Sequence, residues 1–113
     1  TALLGCGGDG RNYRFVAHSD LQETTSYPCD TGRPPTELAA EFPVFDFSQL
    51  RDDAWIQKER PEHHDSWVRL DRFVHWCASR PEDEMVVVTH QNVCRHLLGV
   101  ILANCDVVGV ALD

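Results

Sequence analysis

The feature that most constrains this fold is a short apolar run near the C-terminus that leads into a histidine and then a helix. Residues 85–89 read Met-Val-Val-Val-Thr, a β-branched run typical of a buried strand, and His90 follows it directly. In open α/β sheets, ligands bind beyond the carboxyl ends of the strands, and a helix that begins there offers free backbone N–H groups to an anion. The run therefore predicts an α/β fold with an anion-binding crevice at His90.

Two helices are indicated by apolar residues at three- and four-residue spacing. The longer covers residues 62–79 and precedes Pro81; its apolar positions are Trp67, Leu70, Phe73, Val74 and Cys77. The second follows His90, with Asn92 as its predicted N-cap. Its apolar positions are Val93, Leu97, Val100 and Ile101.

The rest of the chain alternates predicted helices and strands. A helix tail over residues 1–4 ends at Gly5, and a helix that begins at Pro34 and Pro35 runs to Glu41. Strands are expected over residues 13–17 and 106–112, and residues 42–60 are expected to pack as an ordered loop. This alternation predicts an α/β fold with three layers, a mostly parallel sheet flanked by helices, in a single domain over residues 1–113.

Charge and cysteine content restrict the partners. The net charge is −8 and no Lys or Arg cluster is present, which argues against nucleic acid and anionic membranes but not against a small anionic ligand. No apolar run approaches the ~20 residues that a membrane span needs. The five cysteines have no Cys-x-x-Cys spacing, so we expect reduced, mostly buried thiols and a cytoplasmic protein.

A series of short motifs resembles the histidine phosphatase superfamily, the phosphoglycerate-mutase-like proteins. The match is carried by the order of the motifs over nearly all 113 residues rather than by any one of them. In chain order the motifs are Leu21-Gln22-Glu23, Pro28-Cys29-Asp30-Thr31-Gly32, Glu37-Leu38, Phe42-Pro43, Asp46-Phe47-Ser48, Arg69 with Phe73 and Trp76, Arg80-Pro81-Glu82, Val87-Val88-Thr89-His90, Leu97-Leu98-Gly99 and Asn104-Cys105.

The resemblance implies a catalytic pair. Glu23 matches the proton donor of the superfamily, which protonates the leaving oxygen and later activates water. His90 matches the second pocket histidine, which steadies the transferring phosphoryl group. The resemblance also implies that residues 90–92 bind phosphate. Gln91 and Asn92 occupy the positions where the superfamily usually has Ser-Gly or Gly-Gly, so their side chains are bulkier beside the phosphate. The resemblance implies phosphomonoester hydrolysis rather than mutase activity, because no Arg-His-Tyr-Gly follows Glu23.

The nucleophile of the superfamily is the histidine of an N-terminal Arg-His-Gly motif, and these 113 residues contain no such motif. The chain thus resembles an incomplete phosphoglycerate-mutase-like fold without its N-terminal part. In the superfamily that strand lies inside the sheet, so its absence would leave an unpaired edge. We therefore expect this chain alone to be inactive, and a homo-oligomer through the exposed edge is a possible consequence.

Other polar residues have plainer interpretations. The run Glu62-His63-His64-Asp65 suggests a metal site, but neighbouring residues of a helix do not share a face, so a polar helix start is favoured. His18 is expected at the surface near the pocket, and Cys29 as a small loop-packing residue. Arg33 is a weak candidate for an anion contact. His75 and His96 are expected to be structural or exposed.

Two hypotheses about function follow. In the first, the intact domain hydrolyses a small phosphorylated substrate through a phosphohistidine, with Glu23 and His90 in the roles just given. In the second, the chain is a non-catalytic pseudo-phosphatase that binds phosphate or another protein. Neither hypothesis includes a cofactor or a metal ion.

Overall fold

The computed structural model describes residues 2–6, 12–50 and 66–112, and the elements below all lie in these ranges. In chain order the helices and strands are α1 (Ala2–Cys6), β1 (Phe15–His18), α2 (Pro35–Glu41), β2 (Phe45–Gln49), α3 (Ser66–Ala78) and α4 (Gln91–Leu98). Two short 3-10 helices, Ser19–Leu21 and Pro28–Asp30, lie between β1 and α2. Helices and a parallel sheet make the fold α/β, as predicted.

The sheet of the described residues is a parallel pair, β1 with β2. Phe15 pairs with Phe45, and their rings lie 5.2 Å apart, so an aromatic cross-strand contact supports the register. β1 was predicted over residues 13–17, so its start was placed two residues too early and its end one residue too early. β2 was wrongly predicted as part of a loop, although Phe45 and Phe47 alternate with polar residues, the pattern of a half-buried strand.

The predicted strand over residues 85–89 is wrong, and so is the one over residues 106–112. Both segments lack strand pairing, and Val86, Val87 and Val88 are 58%, 45% and 43% exposed. A strand needs a neighbour that takes up its backbone N–H and C=O groups, and β-branched residues alone do not supply one. Among the described residues, neither segment has such a neighbour.

The core lies between α3 and α4. Its buried apolar side chains are Leu70, Phe73 and Cys77 from α3 and Val93 from α4. The predicted apolar face of α3 is therefore right for Leu70, Phe73 and Cys77. It is wrong for Trp67, which is 67% exposed and stacks on His96 of α4. The predicted start of this helix at residue 62 lies outside the described residues.

The helix after His90 begins two residues earlier than predicted. His90 is its N-cap, with an extended backbone, and its carbonyl accepts from Cys94 N at 3.0 Å. The prediction of Asn92 as N-cap is wrong, because Asn92 already lies within the first turn. The helix ends at Gly99, which adopts the left-handed conformation, so Val100 and Ile101 lie beyond it and are exposed.

The helices nearer the N-terminus follow their sequence signals in part. α2 begins at Pro35 and ends at Glu41, as predicted, because proline suits the first turn and Phe42, which precedes Pro43, leaves the helical conformation. α1 continues through Gly5 to Cys6, so the predicted end at Gly5 is wrong. No helix in the described part of the chain is long and apolar enough to cross a membrane.

All five cysteines are free thiols, in agreement with the expectation of reduced thiols. The expectation that they are mostly buried is wrong: only Cys77 is buried, whereas Cys29 and Cys105 are exposed. Cys6 and Cys94 are half-buried. The predicted burial is wrong because Cys29 and Cys105 lie in turns at the surface, where the sequence has no amphipathic spacing that would indicate which residues are buried.

A groove of about 920 Å³ is lined by residues of β1 and by Val86, Val87 and Val88, among others. Its lining also includes Leu21, Gln22, Thr89 and His90.

Candidate functional site

The loop that carries Glu23 is held by donors from two other parts of the chain. The hydroxyl of Thr89 donates to the carbonyl of Leu21 at 2.9 Å. Nη1 of Arg69, on α3, donates to the carbonyls of Asp20 and Gln22 at 3.1 and 2.6 Å. Three successive carbonyls before Glu23 are thus bound by side chains, which fixes this loop against α3 and against the residue preceding His90.

An ion pair adds a second tie between this loop and α3. Nη2 of Arg72 donates to Oδ1 of Asp20 at 2.7 Å, and its Nε donates to Oδ2 at 3.3 Å. Asp20 is buried, with 3% exposure. A two-point contact between guanidinium and carboxylate is geometrically specific, so it fixes the orientation of the loop as well as its position.

Glu23 is buried, with 8% exposure. Its Oε1 accepts from the backbone N–H of Thr24 at 2.7 Å and from the Thr24 hydroxyl at 3.3 Å. The charge of Glu23 affects the pKa of two neighbouring groups. Burial lowers the pKa of Arg69, and the charges of Asp20 and Glu23 oppose that effect. Burial raises the pKa of Cys94, on the first turn of α4, and the charge of Glu23 adds to the increase.

His90 lies at the start of α4 with its side chain exposed. Gln91 and Asn92 are the first two residues of that helix, so the backbone amides of the first turn have no partner within the helix. The side chain of Gln91 donates to the carbonyl of Leu102 at 2.9 Å, which holds it against the segment after α4. Asn92 is half-buried.

Glu23 and His90 are thus brought together by their backbone neighbours. The contact between Thr89 and Leu21 joins residues 68 positions apart in the chain. The charge of Glu23 reaches Cys94, in the first turn after His90. Chemically, a buried carboxyl group and the backbone donors of a helix N-terminus are what proton transfer to an oxygen of a bound anion requires, and His90 also lines the groove.

His18 differs from its predicted surface role. It ends β1, its ring packs edge-on against Phe73 and Trp76 at 5.1 and 4.8 Å, and its Nδ1 accepts from Asp20 N at 3.3 Å. His18 therefore fixes the start of the Glu23 loop. Apolar partners 55 and more positions away in the sequence could not be foreseen from its local pattern.

The other polar candidates lie apart from this site. Arg33 pairs with Glu41 at 2.6 Å, and both side chains are about half exposed. Cys29 is exposed, which corrects its expected role in loop packing, and its thiol is 3.7 Å from Oδ1 of Asp30. His75 is exposed on α3, and His96 is 3.0 Å from the hydroxyl of Ser66, so both match their expected roles.

No group of three or more potential metal ligands occurs in residues 2–6, 12–50 and 66–112. The run Glu62-His63-His64-Asp65 lies outside these ranges.

Sequence reasoning missed Arg69 and Thr89 as the residues that support the site. Both belong to motifs of the resemblance, but neither carried a role there. A signal for Arg69 exists in hindsight: it occupies the apolar face of α3, one residue before the buried Leu70, where a charged residue needs a buried partner.

Comparison with known proteins gives three matches of the same kind. A phosphoglycerate mutase-like protein of Arabidopsis thaliana is 32% identical over 95 residues, which are 80% of this chain and 35% of that protein. Phosphoglycerate mutase-like protein 2 of the same plant is 32% identical over 83 residues, or 71% of this chain and 24% of its own length. Phosphoglycerate mutase-like protein 1 is 29% identical over 82 residues, or 70% and 29%.

The chain therefore spans about a third or less of the curated relatives it matches. No protein-family description matches it. No solved structure matches it either. The three matches relate the chain to the phosphoglycerate mutase-like proteins and confirm the resemblance that its ordered motifs indicated.

Proposed function

We propose that this chain is the acid and phosphate-binding part of a histidine phosphatase domain that, when intact, hydrolyses a phosphomonoester through a phosphohistidine. The observation that carries the proposal is the hydrogen bond between Thr89 and Leu21, because it ties the loop of Glu23 to the residue before His90. The relationship to phosphoglycerate mutase-like proteins supports phosphate as the ligand. The three-layer sheet of such a domain is part of the same proposal.

Each residue has a role that its surroundings support. Glu23 is the proton donor to the leaving oxygen: it is buried, directly follows Gln22 of the groove lining and holds a fixed orientation through Thr24. His90 donates to a phosphoryl oxygen, and its exposed side chain is accessible to one. The amides of Gln91 and Asn92 add donors at the positive end of the α4 dipole.

The attacking group is not among these residues. No Arg-His-Gly occurs in the sequence, and His18, which does end a strand, is followed by Ser19 rather than glycine and packs between two aromatic rings. The proposal therefore predicts phosphate binding without turnover for this chain by itself.

Calorimetric titration with inorganic phosphate tests the predicted binding, and an assay on an aryl phosphate tests the predicted lack of turnover. We expect saturable binding by the wild-type chain and a loss of about tenfold or more in affinity for His90→Ala, as for removal of a hydrogen bond to a charged group. His75→Ala, an exposed histidine on α3, is the control and keeps the wild-type affinity. Hydrolysis by the wild-type chain that His90→Ala abolishes would contradict the absence of a nucleophile.

The alternative function, a non-catalytic interaction module, is favoured by one observation. Among the described residues β1 pairs only with β2, and the valines that line the groove are exposed. Open strand edges next to apolar surface favour association with another chain, here a second copy. Analytical ultracentrifugation over a wide concentration range tests it: a dimer that Val87→Lys dissociates supports this alternative, and a monomer throughout excludes it.

A further inference from the structure

Arg69 is the most deeply buried charged group of α3 next to the proposed acid, and nothing in the proposed chemistry has yet used it. We infer that Arg69 is a positioning residue for Glu23, which it holds through the backbone of the loop before it. The inference rests on the proposed role of Glu23 as the proton donor.

The geometry shows how the positioning works. Nη1 of Arg69 donates to the carbonyls of Asp20 and Gln22, on either side of Leu21, whose own carbonyl accepts from Thr89. The peptide group that links Gln22 to Glu23 is therefore anchored at its oxygen by a contact of 2.6 Å. Rotation of that peptide would change the direction in which the side chain of Glu23 leaves the backbone, so the contact fixes this direction.

The burial of Arg69 would be unfavourable for a residue that only fills space. Arg69 is 3% exposed, and its Nε and Nη2 atoms are buried without a hydrogen-bond partner among the described residues. An apolar side chain of similar volume would avoid the cost of desolvating a guanidinium. The arginine is therefore explained by the carbonyls that it holds and by the negative charges of Asp20 and Glu23 that offset its burial.

Arg72 is a second cation on α3, and it contacts the loop at a different group. Its guanidinium binds the carboxylate of Asp20, and its side chain is partly exposed. The contact of Arg69 with the carbonyl of Gln22 lies directly before Glu23.

Amide hydrogen exchange at Thr24 tests the inference, because the N–H of Thr24 donates to Oε1 of Glu23. We expect Arg69→Met to speed exchange at Thr24 by about tenfold or more, the effect of losing one hydrogen bond to a charged group. Exchange in the β1–β2 pair and in α2 stays within about twofold of wild type, since local opening does not require global unfolding. Arg69→Lys keeps the charge and one donor, so it restores part of the protection. Arg33→Met, which breaks only the exposed pair with Glu41, leaves Thr24 unchanged.

A second measurement uses the proposed chemistry. Glu23→Gln changes phosphate affinity in the wild-type chain if the carboxylate faces the anion, and we expect that fold-change to shrink toward one in the Arg69→Met background. Unchanged exchange at Thr24 in both Arg69 variants overturns the inference. Loss of protection throughout β1, β2 and α2 in both variants also overturns it, because Arg69 would then only support the fold. If the wild-type chain does not bind phosphate, the proposed function fails, while the exchange data still decide the role of Arg69.

Discussion

At the scale of single residues, burial separates four of the five thiols into two chemical groups. Burial raises the pKa of Cys77 and of Cys94, and the charge of Glu23 adds to the effect at Cys94. A raised pKa leaves less thiolate at neutral pH, and thiolate is the reactive form. Cys29 and Cys105, in contrast, are exposed to solvent.

This difference predicts the order of alkylation. In a time course with iodoacetamide near neutral pH, followed by mass spectrometry, Cys29 and Cys105 should be modified first and Cys77 and Cys94 last. The variant Glu23→Gln removes the negative charge near Cys94, so it should speed modification of Cys94 but not of Cys77. Modification of Cys94 as fast as Cys29 would show that Glu23 and the first turn of α4 are not arranged as described.

The strand-like run before His90 and the family resemblance identified the candidates Glu23 and His90 but not the residues that hold them. Arg69, Thr89 and His18 act through partners 47 or more positions away in the chain, and no local pattern encodes such contacts. The burial of Glu23 was likewise not foreseeable, because a loop carboxylate is ordinarily solvated.

At the scale of elements, the start of α2 followed its local chemistry, because proline acts within the first turn and sequence alone locates it. The end of α4 at Gly99 was missed, because Val100 and Ile101 continue the apolar spacing of the helix. The run over residues 85–89 has high β-propensity but no strand beside it, and β-propensity reflects packing against neighbours rather than the backbone alone.

The end of α4 gives a prediction about stability. Gly99 has φ of +70° and its missing Cβ would meet no atom within 4 Å, so Gly99→Ala introduces backbone strain and no clash. We expect it to lower the free energy of unfolding by about 1 kcal/mol. Gly109→Ala is the matched control, since that position is equally open and has no positive φ. Equal urea midpoints for the two variants would contradict the left-handed end of α4.

The start of β2 gives a prediction about acid stability. Hydrogen bonds from Ser48 and from Arg14 lower the pKa of Asp46 from 3.8 to about 2. Because the folded pKa lies below the unfolded one, this contribution is complete above pH 4 and is lost as the pH falls from 4 to 2.

Urea unfolding at several pH values between 2 and 5 measures this effect. Stability of the wild-type chain should fall more steeply in that window than stability of Asp46→Asn. Asp83→Asn, a change at another exposed carboxylate, should follow the wild-type slope. Parallel curves for wild type and Asp46→Asn would rule out the contribution of Asp46.

At the scale of the whole molecule, the hydrogen bond from Thr89 to Leu21 ties the loop of a buried carboxyl group to the start of a helix. The overall charge of −8 would repel an anion, so any phosphate site has to rely on local donors: the first-turn amides of α4, His90 and the buried Arg69 behind the loop. The α/β fold class was predictable from the sequence, and the ordered motifs pointed to Glu23 and His90, whereas the contacts of Arg69 and Thr89 with the loop required the three-dimensional structure.

The most direct test of the account is a titration with inorganic phosphate, followed by two-dimensional NMR at constant ionic strength, on the wild-type chain, His90→Ala and Glu23→Gln. We predict that the amides of Thr24, Gln91 and Asn92 shift along one common saturation curve. His90→Ala should weaken binding because a donor is lost, and Glu23→Gln should tighten it because a negative charge beside the anion is removed. Phosphate that leaves these amides unmoved, or an affinity that both variants leave unchanged, would contradict a shared phosphate site.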